Sequence, residues 1–110
     1  MPDLRSLVDA HCALFNTAVR SADYSRFVAT FAEDAVMWFA NVPAGPYHGR
    51  DAIAEAYRVQ PPTDTMTVRS VSAVAEHTAE VRFAWDNGGT GTMTVRWAGD
   101  EVAELTVAFD

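Results

Sequence analysis

The chain has no lysine, one cysteine and no long uninterrupted apolar run. Each shortage excludes something. With Cys12 alone, an intrachain disulfide is impossible. Its place in a helical pattern between His11 and Ala13 points to a buried small hydrophobe rather than a reactive thiol. The eight basic residues are all arginine and are scattered, against a net charge of −7. Nucleic acid and anionic membrane surfaces are therefore excluded as partners, because both need a basic patch. The acidic excess reads as a solubility feature. The opening segment "MPDLRSLVDAH" is interrupted by Asp3, Arg5 and Asp9, so it predicts neither a signal peptide nor a membrane span. A cytoplasmic protein is the resulting expectation. His11, His48 and His77 lie far apart with no paired acidic motif, which predicts no metal site, and no cofactor is expected.

What is present is an ordinary globular composition, 49% hydrophobic and 21% charged over 110 residues, enough for one domain spanning 1–110 with a real core. In "LRSLVDAHCALFNTAVRSAD", Leu4, Leu7, Val8, Leu14, Phe15, Ala18 and Val19 recur at three-and-four spacing. This predicts an amphipathic helix of about five turns ending near Ser21. Asp23 is placed to cap a second helix, "YSRFVATFA", with Phe27, Val28 and Phe31 on its inner side. "DAVMWFA" is aromatic and β-prone, and predicts a strand starting near Ala35. Pro43, Gly45 and Pro46 form a turn, and a third helix follows over 50–58. Its inner face carries Ile53, Ala54 and Tyr57, and "QPPTD" ends it.

The remainder alternates with period two in four segments separated by His77-Thr78, "NGGTG" and "GD". One face is apolar, with Met66 and Val68, then Val81, Phe83 and Trp85, then Met93, Val95 and Trp97, and finally Leu105, Val107 and Phe109. The other carries Arg69, Glu80, Arg82, Thr94, Arg96, Glu104 and Thr106. Helices followed by an antiparallel meander predict an α+β fold, a strongly curved, cone-shaped antiparallel sheet packed against three helices around an apolar interior. The mixed outer face suits a two-fold contact between copies, so a homodimer through the sheet is expected.

The segments "FAEDAVMWF" and "PAGPYHGRDAIAEAYR" resemble the signature of SnoaL-like proteins and ketosteroid isomerases, within the nuclear transport factor 2-like superfamily. The closest matches are residues 31–36 and 45–57, and the order of elements covers essentially the whole chain. The resemblance implies the cone fold with the turn at its rim. It also implies a set of catalytic positions. In ketosteroid isomerases a strand carboxylate is the base, and a tyrosine with a protonated aspartate forms the oxyanion hole, one of the standard examples of pKa tuning. The tyrosine position falls on Phe15, the base on Phe39 or Ala40, and the aspartate on Met93 or Thr94, so none of the three groups is present. The supporting tyrosine matches at Tyr57. The aspartate-histidine and aspartate-arginine-aspartate sets of related cyclases and epoxide hydrolases have no convincing equivalent here.

The remaining catalytic candidates are His11, on the apolar stripe one turn before Phe15, together with Tyr57 and Asp86. Each has a structural alternative: a core histidine, a packed ring, a turn cap beside Asn87-Gly88. His48 and Asp34, inside the family segments, read as structural. Phe15, Trp38, Phe39, Tyr57, Phe83 and Trp85 are the expected lining of a pocket for a hydrophobic small molecule. Only one of Trp38 and Phe39 can face it, since adjacent strand residues point oppositely. Three functions remain open: an isomerase- or cyclase-type acid–base enzyme, a non-catalytic binder, and a dimeric association module.

Overall fold

The computed structural model describes residues 3–40 and 45–110; Pro43, part of the expected turn, lies outside them. The elements run α1 (Leu4–Ser21), α2 (Ser25–Val28), β1 (Phe31–Ala40), β2 (Tyr47–His48), α3 (Arg50–Val59), β3 (Met66–Ala75), β4 (Thr78–Trp85), β5 (Thr90–Ala98) and β6 (Glu101–Phe109). The strands form one six-stranded sheet in the order β2-β1-β6-β5-β4-β3. Helices cover its apolar face, giving the expected curved α+β cone. The meander from β3 to β6 is antiparallel, as alternation predicts. β1 instead runs parallel to β6.

α1 begins where Asp3 accepts a hydrogen bond from the Ser6 amide at 2.8 Å. Its buried stripe, Val8, His11, Cys12, Phe15 and Ala18, follows the helical period onto the sheet. Asn16 leaves this helix to clamp the first residue of β3: its side-chain amide donates to the Met66 carbonyl and accepts from the Met66 N–H, both at 2.9 Å. The meander's first strand is thereby registered against α1.

The second helix is shorter than the apolar spacing of "YSRFVATFA" predicts. Asp23 is not its cap: the N-cap is Tyr24, with no side-chain cap bond, while Asp23 one residue earlier accepts from the Ser25 amide at 3.0 Å, and the helix closes at Val28. Phe31 onward enters β1, where Phe31 pairs with Val102 and the ring is fully buried. Pairing with β6 outweighs the weak helical preference of the β-branched and aromatic residues Val28, Thr30 and Phe31.

The family segments explain one another. Between the Phe31–Val102 and Val36–Glu104 pairs, β1 takes five steps where β6 takes two, so Ala32 to Ala35 bulge out of the ladder. The bulge is held by the start of α3. Gly49 donates its amide to the Ala35 carbonyl at 2.7 Å, and Arg50 donates to the Phe31 carbonyl at 3.3 Å. Gly49 has φ +93°, a conformation that favours glycine. The "FAEDA" and "HGRD" segments are thus two halves of one backbone clasp.

The core is continuous, with Phe27, Phe31, Met37, Ile53, Phe83 and Met93 among its largest fully buried side chains. Cys12 lies within it, 3.9 Å from the Met66 sulfur, and burial pushes its thiol up to about 12. It is a packed hydrophobe, as expected. Among the described residues no helix is long and apolar enough to cross a membrane.

Candidate functional site

The cone is not filled to its mouth. A cavity of about 340 Å³ remains between α1, α3 and the inner face of the sheet. The i, i+4 spacing on α1 brings both His11 and Phe15 to its wall. α2 contributes Phe27, α3 Tyr57, β1 Phe39 and β4 Trp85. The meander adds Met93, Leu105, Val107 and Phe109, and the segment before β3 adds Pro62, Thr63 and Asp64.

The inner end is an aromatic cage. Phe27, 1% exposed, stands 5.0 Å from the His11 ring, 5.6 Å from Phe15 and 5.5 Å from Tyr57. Within it His11 is the only buried polar or charged residue among those described, tyrosine aside. Its Nδ1 is sealed from solvent and has no hydrogen-bond partner. Desolvation drives its pKa from 6.5 down to about 4, so it is neutral at physiological pH. The Tyr57 hydroxyl donates to the Met37 sulfur at 3.4 Å. Burial, with a lesser contribution from the neighbouring Tyr24, raises the Tyr57 pKa well above the usual phenol range. The Tyr24 ring stacks on Tyr57 at 5.0 Å.

The mouth is a row of half-buried rings. Phe109 stacks between Phe39 at 6.0 Å and Trp85 at 6.2 Å, and Trp85 also approaches Phe15 at 6.2 Å. Polar groups around it are tied to one another. Asp64 accepts from the Asn87 backbone and side-chain amides at 2.9 and 3.0 Å. Asp86 accepts from the Thr67 hydroxyl at 2.7 Å and from the Thr65 hydroxyl, bonds that lower its pKa. Together these bonds fasten residues 64–67 to the β4–β5 turn.

Several expectations are corrected by this geometry. Trp38 is not in the cavity: it lies on the outer face, 43% exposed, opposite Thr106. Phe39, paired with Val107, takes the inward place. The bulge at 32–35 resets the alternation, so Ala35, Met37 and Phe39 face in. Phe83 is inward but belongs to the core beneath the wall. It is 1% exposed, meets Trp85 edge-on at 5.1 Å, and fills the space a side chain at Gly91 would need. Asp86 is exposed and serves the turn, outside the cavity lining. Phe27, Phe109 and Asp64 were not anticipated as lining. The first two sit on inward faces legible from periodicity, whereas Asp64 is placed by contacts with a turn 23 residues away.

Of the positions implied by the resemblance to ketosteroid isomerases, one from each alternative falls in the cavity wall, whereas Ala40 and Thr94 do not line it. Phe15, Phe39 and Met93 all line it, and none can donate or accept a proton. Among the described residues, no three of His, Cys, Asp and Glu converge as metal ligands.

The profile of the SnoaL-like domain matches residues 12–108. The chain belongs to the SnoaL-like domain family. No curated protein matches the sequence significantly. Solved structures similar to this SnoaL-like domain include that of SalBIII, an epoxide hydrolase/cyclase-like enzyme with a role in pyran ring formation in the polyether salinomycin. It aligns with a TM-score of 0.74 and 17% identity, covering 100% of this chain and 95% of the other. A SnoaL-like protein of unknown function from Burkholderia thailandensis aligns at 0.72 and 13% identity over 100% and 99%. A computationally designed 17-OHP binder aligns at 0.69 and 13% identity over 92% and 88%. At these identities the likeness shows a shared fold.

Proposed function

We propose that this SnoaL-like domain encloses a hydrophobic, ring-bearing small molecule in its cavity. The observation that carries the reading is the row Phe39–Phe109–Trp85, stacked rings left half-buried around an apolar space of about 340 Å³. A flat ring laid against them would remove apolar surface from water and add ring–ring contact. The likeness in fold to a designed 17-OHP binder and to SalBIII, an enzyme with a role in pyran ring formation, supports this reading.

The test is equilibrium dialysis against 2-isopropenylnaphthalene, with tryptophan fluorescence as a second signal. Saturable one-to-one binding is expected, weakened by about 1–3 kcal/mol in Trp85→Ala. No saturable binding, or unchanged affinity in a folded Trp85→Ala variant, would overturn the proposal.

A second reading, acid–base catalysis of the isomerase or cyclase type, rests on one observation: His11 is a titratable group on the cavity wall. It would have to act without the carboxylate base and oxyanion donors of the ketosteroid isomerases, groups each worth several kcal/mol of barrier. Turnover of a 3-oxo-Δ5 steroid is expected to be undetectable, and turnover abolished by His11→Leu would establish the catalytic reading instead.

Homodimer formation through the outer sheet face is part of the proposal. Exposed Trp38 lies there among Thr106, Thr94 and the Arg96–Glu104 ion pair. Light scattering at tens of micromolar, a range chosen from typical weak interfaces, should give twice the 12.0 kDa chain mass; a monomer would contradict it.

A further inference from the structure

We propose that the ligand of this cavity carries an uncharged oxygen acceptor, a carbonyl or ether, and that the Nε2–H of His11 donates a hydrogen bond to it. The inference rests on the cavity being a ligand site and adds the polarity of what enters.

His11 lines the cavity, yet its Nδ1 is inaccessible and has no partner. Nε2 is therefore the nitrogen that can meet a ligand. A neutral imidazole carries one proton. Sealing an N–H away from every acceptor is among the rarest arrangements in folded proteins, while a bare lone pair is tolerated more often. The proton therefore belongs on Nε2, where a ligand can use it.

The surroundings fix the sign of the partner. The inner cage sets Phe27 and Phe31 against the imidazole, with ring centroids at 5.0 and 6.1 Å, and Phe15 and Tyr57 pack on Phe27. The Tyr57 hydroxyl is engaged by Met37 and the Cys12 thiol packs on Met66, so neither competes for the ligand's polar atom. Charging His11 in this cage is disfavoured by desolvation, which removes the cation an anionic ligand would need. The acid at the mouth, Asp64, adds repulsion toward anions. A neutral acceptor satisfies the imidazole without creating a charge.

Three planar probes of the same shape separate the possibilities: 2-acetylnaphthalene, 2-isopropenylnaphthalene and 2-naphthoate, each measured by equilibrium dialysis at pH 7.5 on the intact protein and on His11→Leu. The ratio of acetyl to isopropenyl affinity should be about tenfold higher in the native chain than in the variant, the size of one net hydrogen bond. Naphthoate should bind most weakly. In parallel, the imidazole 15N spectrum of the native chain should show the Nε2 signal moving with the acetyl probe and not with the isopropenyl probe. This second measurement decides the matter if His11→Leu fails to fold. An unchanged affinity ratio, an unmoved Nε2 signal or preferred binding of naphthoate would overturn the polarity assignment while leaving the cavity reading standing. Failure of the isopropenyl probe to bind the folded native chain would instead overturn the cavity reading itself.

Discussion

At the mouth of the cavity Asp64 and Asp86 each accept two or more hydrogen bonds, from Asn87, Thr65 and Thr67, in reach of water. At the inner end the Nδ1 of His11 is sealed from solvent and has no partner. The two regions are lined by the same mixture of rings, but their polar groups do opposite things. Those at the mouth are consumed in shaping a turn and a strap. The one at the inner end keeps a sealed nitrogen unsatisfied at a cost in stability, since an unsatisfied buried polar group is unfavourable.

The contrast can be broken most severely from the inner end. Phe27 touches His11, Phe15, Phe31 and Tyr57 and is 1% exposed. Phe27→Ala should destabilise the fold by about 3–5 kcal/mol in urea denaturation. A loss below about 1 kcal/mol would mean the cage collapses around the gap and is not a rigid wall.

The next effect is a pH dependence. The folded state keeps His11 neutral down to about pH 4, whereas the unfolded chain protonates it near 6.5. Between those values the unfolded state binds the extra proton. The unfolding free energy therefore falls as pH drops from 6.5 toward 4, by about 3 kcal/mol from this residue. The contribution is fully present above 6.5. In His11→Leu the fall across that window should largely disappear. An identical pH profile in native chain and variant would show that His11 is not desolvated.

The smallest effect belongs to the mouth. Asp86→Ala removes bonds made by an exposed carboxylate, so its shift in the urea midpoint should be the least of the three. Because the Thr65 and Thr67 bonds lower its folded pKa, its contribution is lost only as pH falls below the ordinary aspartate range. Affinity for 2-isopropenylnaphthalene should be nearly unchanged, and a large loss would transfer Asp86 from the turn to the site.

How far this contrast could be read from the sequence follows from how local each feature is. α1 was legible because Leu4 through Val19 repeat at helical spacing, and the meander was legible because its apolar residues alternate between short breaks. His11 and Phe15 followed from the helix period, and Trp85 from alternation. The exchange of Trp38 for Phe39 was not legible, because it depends on the bulge at 32–35, a backbone choice enforced by Gly49 and Arg50. Nor was the early end of α2, which reflects a strand pairing 71 residues away between Phe31 and Val102. The parallel β1–β6 pairing and the strap through Asp64 are likewise long-range contacts that composition and periodicity do not encode.

The most direct measurement is the titration of the His11 imidazole in the ligand-free protein by two-dimensional 15N–1H NMR. The account predicts a neutral ring with the proton on Nε2 at pH 7, and a pKa near 4 with protonation coupled to unfolding. A ring that titrates reversibly near 6.5 in the folded state, or that carries its proton on Nδ1, would contradict it.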